Sequence, residues 1–311
     1  MTLQFDKFIN VFFYEKVPTD NSLYSIVTPS TGRKPRISLS AEYFSSNTLV
    51  NIELKITNLS LDVPITKFKY VRIQAGYLKG QSTTMDCQIL FAYMERPAPD
   101  SIMVFKILKG NWTNFNLFRY YGTGLKGTLL KDLVKKVCDA MEMTFIEDSS
   151  VLAGITLLKD ENVAGLGKDC LHNILTAYSI DHDFSLGFLR CFDKKKGITP
   201  PTEVKLNYLS SPIQQEAGSS TIKAPWIPIL EPYQVFSVDS NYVRQSFGGA
   251  IAANLVGVPV KFICISYKFN FSTVEDENSM TIFAQNSSIS STDQVAMELI
   301  KGFENSRIVS E

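Results

Sequence analysis

Ile56-Thr57-Asn58-Leu59-Ser60, followed after a short polar segment by Val71-Arg72-Ile73-Gln74-Ala75-Gly76-Tyr77, is the stretch that decides the fold. Its first part ends a strand and enters a turn, because Asn and Ser bond their own backbone and break a ladder. Its second part is a strand that stops at a glycine and an aromatic. Working outward, Leu49 to Ile56 alternates, with Ile52, Leu54 and Ile56 on one face and Asn51, Glu53 and Lys55 on the other. Period-two alternation indicates a strand with one buried face. Phe8 to Tyr14 and Ile37 to Tyr43 read as strands too. Met85 to Met94 and Ser101 to Leu108 form a candidate pair, turned at Arg96-Pro97-Ala98-Pro99-Asp100, since proline fixes φ and removes a ladder donor. Residues 1–115 therefore read as a β-domain of sandwich or barrel type.

The middle, residues 116–197, changes character. Thr128 is placed to cap a helix running through Leu129, Leu133, Val137 and Met141, whose spacing of four puts them on one face. Strand-like Met143 to Ile146 follows. A second unit begins at Gly165-Leu166-Gly167, with a helix from Lys168 to Ser179 that turns Leu171, Ile174, Leu175 and Tyr178 inward. Asp183 to Gly187 and Phe188 to Phe192 read as a hairpin. This is a small α/β domain. From residue 198 to 288 the β pattern returns, at Val204–Leu209, Thr221–Ala224, Val235–Val238, Val258–Phe269 and Met280–Ala284, punctuated by Pro212, Pro225, Pro228 and Pro232. The segment 289–311 reads as a tail or short helix, with Ser291-Thr292-Asp293-Gln294 as a capping box before Val295, Leu299 and Phe303.

The 311 residues suffice for two or three domains, and 45% hydrophobic with 20% charged is ordinary for a core-forming chain. Lys+Arg and Asp+Glu both total 31, so no overall attraction to nucleic acid or an anionic membrane is expected. Cys87, Cys138, Cys170, Cys191 and Cys264 are scattered, and no Cys-x-x-Cys occurs, which reads as buried free thiols rather than a disulfide framework or zinc site. The start of the chain has no signal-peptide pattern, and no apolar run reaches the roughly 18 residues of a membrane helix. Folding in a cytoplasm and no stable membrane insertion are the expectations.

Few residues offer chemistry. His172 falls on the second helix, and His182 lies in Asp181-His182-Asp183, read as a turn. A histidine flanked by acids suits general acid–base work, but polar turn residues are usually solvated, and the two histidines lack metal-ligand spacing. Gly122-Thr123-Gly124-Leu125-Lys126-Gly127 imitates a dinucleotide fingerprint without its parallel βαβ context, so a flexible loop leading into the helix is favoured. No Gly-x-Ser-x-Gly elbow and no phosphate-binding Lys-Ser/Thr is present. The acids Asp181 with Asp183 and Glu275-Asp276-Glu277 read as solvated charges rather than a glycosidase pair. The expectation is no catalytic residue, no cofactor-binding residue and no metal ligand.

The order of these motifs resembles the tail and baseplate hub family of bacteriophages with contractile or long flexible tails. The carriers are Ile56 to Ser60, Val71 to Tyr77, the hairpin at Pro99-Asp100, the helix opening Leu129-Leu130-Lys131-Asp132-Leu133, then Ser211-Pro212, Ile229-Leu230-Glu231-Pro232 and the pair Phe262–Phe269 with Met280–Ala284. They span roughly residues 35 to 285. Two departures stand out: Leu90-Phe91-Ala92 replaces the family's Phe-x-Gly, and Tyr233-Gln234 lacks its glycine. The resemblance implies two tube-like antiparallel β-barrel or sandwich domains flanking the α/β domain. It implies a homotrimer closing a pseudo-sixfold ring that joins a hexameric tail tube to a threefold central spike or tail-tip protein and surrounds the DNA path. Other baseplate proteins would be neighbours, and the site of action would be the virion, after assembly in the host cytoplasm. The alternatives are a trimeric receptor-binding tail component and a tail-associated cell-wall hydrolase.

Overall fold

The computed structural model describes residues 7–18, 21–29, 35–43, 49–60, 62–78, 80–95, 99–147, 151–200, 202–206, 209–210, 213–216, 219–238, 260–274 and 278–286. The first region holds β1 (Lys7–Tyr14), β2 (Tyr24–Ile26), β3 (Ile37–Tyr43), β4 (Asn51–Thr57), β5 (Tyr70–Tyr77), β6 (Ser82–Glu95) and β7 (Ile102–Lys109). The middle holds α1 (Trp112–Leu117), β8 (Arg119–Gly124), α2 (Leu130–Ala140), β9 (Phe145–Glu147), β10 (Glu161–Leu166), α3 (Gly167–Ala177), β11 (Asp181–Asp183) and β12 (Leu189–Phe192). The last holds β13 (Val204–Leu206), β14 (Gln214–Glu216), β15 (Ser219–Ala224), β16 (Val235–Val238), β17 (Val260–Ser272) and β18 (Asn278–Asn286). The proposed capping box at Ser291 and the acids Glu275-Asp276-Glu277 lie outside the described residues.

The turn at Asn58 shows why the opening stretch matters. Asn58 stands at φ 56, a left-handed conformation that Asn tolerates because its side chain bonds locally. Its side-chain Nδ2 donates to Asp100 Oδ1 at 2.9 Å and its Oδ1 accepts from Ser101 N at 3.0 Å, tying the end of β4 to the start of β7. Leu59 then drops into the core beside Val63 and Phe68. Inward residues Ile52, Leu54 and Ile56 are buried, as the alternation predicts.

Thirteen strands form one sheet in the order β14-β15-β18-β17-β3-β4-β7-β6-β5-β1-β2, with β16 on β17 and β13 on β16. The expected barrel is corrected here: among the described residues no barrel closes, because β14 and β2 end the path unjoined. The pairing is not wholly antiparallel either, since β13 runs parallel to β16 and β9 parallel to β12. One core runs under this sheet through both β regions, from Ile9 and Leu54 to Phe262 and Ile282.

The two β regions repeat one strand order. In chain order β1, β3, β4, β5, β6 and β7 correspond to β13, β14, β15, β16, β17 and β18. The spatial order β1-β5-β6-β7-β4-β3 recurs as β13-β16-β17-β18-β15-β14. The register repeats as well. Val71 opposite Cys87 matches Phe236 opposite Phe262, and Leu54 opposite Phe105 matches Ile222 opposite Ile282. Each long strand carries a bulge at the same place, Ile89/Phe91 in β6 and Cys264/Ser266 in β17. The repeat breaks at its rim, where β1 is antiparallel to β5 while β13 is parallel to β16.

The middle region has its own core, built by α2 and α3 over two small sheets, β8·β10 and β9·β12·β11. Leu130, Leu133, Val134, Val137 and Cys138 form the buried stripe of α2. Thr128 does not cap this helix. Its hydroxyl donates to Leu125 O at 2.7 Å, and Leu129, extended and exposed, bridges to Thr156. The glycine run leads into the helix by a turn only in its second half, Leu125 to Gly127, whereas Gly122 and Gly124 lie in β8, opposite Val163 and Glu161 of β10. A Cβ on Gly124 would meet Leu157 Cδ1 at 2.5 Å, so the glycine makes room for the core. All five cysteines are free and buried, and burial pushes the Cys87 and Cys138 thiols up to about 12.

Candidate functional site

Asp181, His182 and Asp183 form strand β11, not the turn read from their polarity; cross-strand partners Phe192, Cys191 and Arg190 hold them extended. His182 Nδ1 lies 2.9 Å from Ile180 O, and a carbonyl only accepts, so Nδ1 carries the proton. His182 Nε2 then accepts from His172 Nδ1 at 2.9 Å. Burial, with His172 and Lys194 adding to it, holds the His182 pKa below the ordinary imidazole value. Both His182 nitrogens are thus committed, and neither bonds a carboxylate. Asp181 pairs with Lys194 Nζ at 3.2 Å instead.

Asp183 belongs to a different cluster. Its buried carboxylate accepts from Ser185 Oγ at 2.9 Å and from Arg190 Nη2 at 3.1 Å. Arg190 also donates through Nη1 to Glu231 Oε2 at 3.0 Å and through Nη2 to Pro232 O at 3.1 Å. Its guanidinium lies 5.5 Å from the Phe188 ring centroid. Arg190 therefore ties the middle region to the second β region. The tie to the first includes close backbone contacts: Val50 N donates to Ser185 O at 3.0 Å, and Gly110 packs on Gly187. Both glycines have left-handed φ, +90 and +83, and a Cβ on either would sit under 3.0 Å from the other's Cα. These residues position regions rather than reactants. Sequence reasoning missed them, although one signal was present: a charge inside the apolar strand Leu189-Arg190-Cys191-Phe192 must find a partner.

The two β regions meet where β3 pairs with β17. Tyr43 stacks on Tyr267 there with centroids 4.6 Å apart, and burial pushes both phenols up. Tyr77 of the opening stretch crosses the same junction: its hydroxyl donates to Trp226 O and accepts from Asn278 Nδ2, each at 2.8 Å.

Opposite the core, this join carries a polar concavity of about 470 Å³ lined by Glu42, Asn51, Glu53, Lys106, Lys268 and Asn270 among others. Phe91, Lys106, Glu53, Ser40, Asn270 and Ser279 stand in one row across six strands. Glu42, Lys268, Thr281 and Lys223 form the next row. Glu53 bonds both Lys106 and Lys55; burial works to raise its pKa, but the two ammonium partners outweigh it and hold the carboxyl low. The Asn51, Glu53, Lys55 alternation in the sequence already marked this face. It offers charges of both signs and hydroxyls, spread over a surface. Among the described residues no group of three or more His, Cys, Asp or Glu is arranged to hold a metal.

Neither a family model nor a curated protein matches the sequence. Solved structures do match. A prophage MuSo2 tail protein from Shewanella oneidensis aligns over 90% of this chain and 98% of its own, with TM-score 0.56 and 9% identity. A tail protein from Neisseria meningitidis MC58 aligns over 93% and 99%, with TM-score 0.53 and 10% identity. The fold is that of phage tail proteins. The tail-protein fold extends to an Escherichia coli component of the type VI secretion system, itself described as similar to the bacteriophage T4 tail proteins gp27 and gp5. That structure aligns over 81% of this chain and 73% of its own, with TM-score 0.52 and 10% identity.

Proposed function

We propose that the chain is a structural hub protein of a bacteriophage tail baseplate. Three copies form a ring of pseudo-sixfold character, because each chain brings two tube-like β-domains, residues 1–115 and 198–288. The α/β domain, residues 116–197, lies between them in sequence, and 289–311 is a tail or short helix. The ring joins a hexameric tail tube to a threefold central spike or tail-tip protein, contacts other baseplate proteins and surrounds the DNA path. Its place is the virion tail, reached after assembly in the host cytoplasm. It performs no catalysis and uses no cofactor.

The observation that carries this reading is the repeated six-strand order with matching register and bulges. A chain with two equivalent β units presents six similar units when three copies close, which matches a threefold body to a sixfold tube. The likeness over nine-tenths of the chain to two tail proteins supports the tail context, and the type VI component supports a spike-side neighbour. The polar concavity across the join suits a channel wall that lets a polyanion pass without holding it.

Negative-stain imaging of the purified chain tests the proposal. The expected particle is a ring with a central hole and six similar lobes. A compact particle without a hole at every concentration, alone and with the tube or spike protein, contradicts it.

A further inference from the structure

The two repeats place a lysine at the same point of the polar face. Lys55 follows inward Leu54 on β4 and stands opposite Val104. Lys223 follows inward Ile222 on β15 and stands opposite Thr281. Lys106 of β7 and Lys268 of β17 point to the same face. These four lysines spread over the strands β7-β4-β3-β17-β18-β15, five spacings of roughly 4.8 Å each. Alone, such a face would grip a polyanion, because each phosphate met by a lysine releases counterions.

Glu42 and Glu53 stand among these lysines. Glu53 bonds Lys106 and, at 3.0 Å, Lys55. Glu42 lies directly opposite Lys268 across the β3·β17 join. Directly opposed side chains have Cβ atoms about 4.5–5.5 Å apart, close enough for opposite charges to attract. Glu42, Glu53, Lys106 and Lys268 all line the concavity. The second repeat differs at one of these points, where Thr221 takes the place of Glu53 beside Lys223. Partly exposed ion pairs of this kind add little to folding. Their larger effect is on the charge that the face shows to a passing polyanion.

We propose that Glu42 and Glu53 keep this face from holding duplex DNA: they neutralise lysines that would otherwise bind its phosphates. The inference rests on the hub reading, which puts the face along the DNA path. It adds the residues that set how weakly the wall touches its cargo. Three chains repeat every such acid three times around one duplex, so the loss of a single acid is felt at several phosphates. Lys223, with threonine in place of the acid, supplies the weak contact that remains.

DNA binding by the assembled full chain tests the proposal, read by fluorescence anisotropy of a short linear duplex at about 50 mM salt. Glu53→Gln releases Lys55 and Lys106. Glu42→Gln, at an exposed position, releases Lys268. Each variant is expected to bind at least about tenfold more tightly than the parent, with a salt slope steeper by about 0.9 per added phosphate contact. Adding Lys55→Gln and Lys106→Gln to Glu53→Gln returns the affinity to the parent's or below. Asp139→Asn makes the same charge change on α2, where Asp139 pairs with Lys135 at 3.4 Å, and is expected to stay within about twofold of the parent. A closed circular DNA, which cannot thread a ring, shows no gain. Light scattering verifies that each variant keeps the parent's mass. Glu42→Gln and Glu53→Gln chains no tighter than Asp139→Asn, or equal gains on linear and circular DNA, overturn the proposal and leave the ring standing. A parent chain that keeps a single-chain mass even with the tube and spike proteins overturns the hub reading, and the proposal with it.

Discussion

Arg190→Ala removes a side chain that bonds both Asp183 of the middle region and Glu231 of the second β region. The Asp183 side chain has no exposure, and Arg190 retains 5%. Stripping the cation from a buried carboxylate costs about 3–5 kcal/mol, because the remaining charge keeps its desolvation penalty. Glu231 is 31% exposed and solvent screens it, so its pairing adds at most about 1 kcal/mol. Contact with the Phe188 ring adds about 0.5–1 kcal/mol. The expected loss is therefore about 3.5–7 kcal/mol, read from urea denaturation followed by circular dichroism. Adding Asp183→Asn to Arg190→Ala removes the orphaned charge and returns at least about 2 kcal/mol of it. A loss below about 1 kcal/mol for Arg190→Ala, or a double variant no better than the single one, refutes the claim that this cluster ties the regions together.

Gly187→Ala is expected to cost about 2–4 kcal/mol, from a left-handed φ plus backbone atoms of Gly110 and Lys109 within 3.1 Å of the new Cβ. Gly127→Ala shares φ +83 with nothing within 4 Å, so it costs only about 1 kcal/mol; equal losses in thermal melts contradict the close packing of Gly110 on Gly187. Tyr77→Phe strands Trp226 O and Asn278 Nδ2 and loses about 1–2 kcal/mol, with hydrogen exchange rising around Trp226; unchanged exchange there speaks against the bridge. The folded pKa of His182 lies below its unfolded value of about 6.5, so the neutral form favours folding. Its contribution is complete above that unfolded value and is lost as pH falls through the folded one; His172→Gln/His182→Gln chains should lack that slope between pH 7 and 5.

Much of the β framework was legible because alternation has a physical cause: Ile52, Leu54 and Ile56 face a core while Asn51, Glu53 and Lys55 face water. β8 and β10 were not legible as strands, since Arg119–Gly124 and Glu161–Leu166 are glycine-rich and bury little apart from Gly124 and Val163. Asp181-His182-Asp183 read as a turn because a short strand of polar residues, only its last one buried, looks like a loop until its partners are known. The internal repeat was invisible for a related reason. Equivalent positions such as Leu54 and Ile222, or Glu53 and Thr221, share facing rather than identity, and register is a tertiary property. The polar face showed in the alternation of β4, but its continuation onto β17 and β18 depends on the β3·β17 join.

The mass of the purified full chain in solution, measured by light scattering across a concentration series, tests the hub account most directly. The account predicts a species of three chain masses, either alone or once the tube or spike protein is added. A single-chain mass at high concentration that neither partner changes would contradict it.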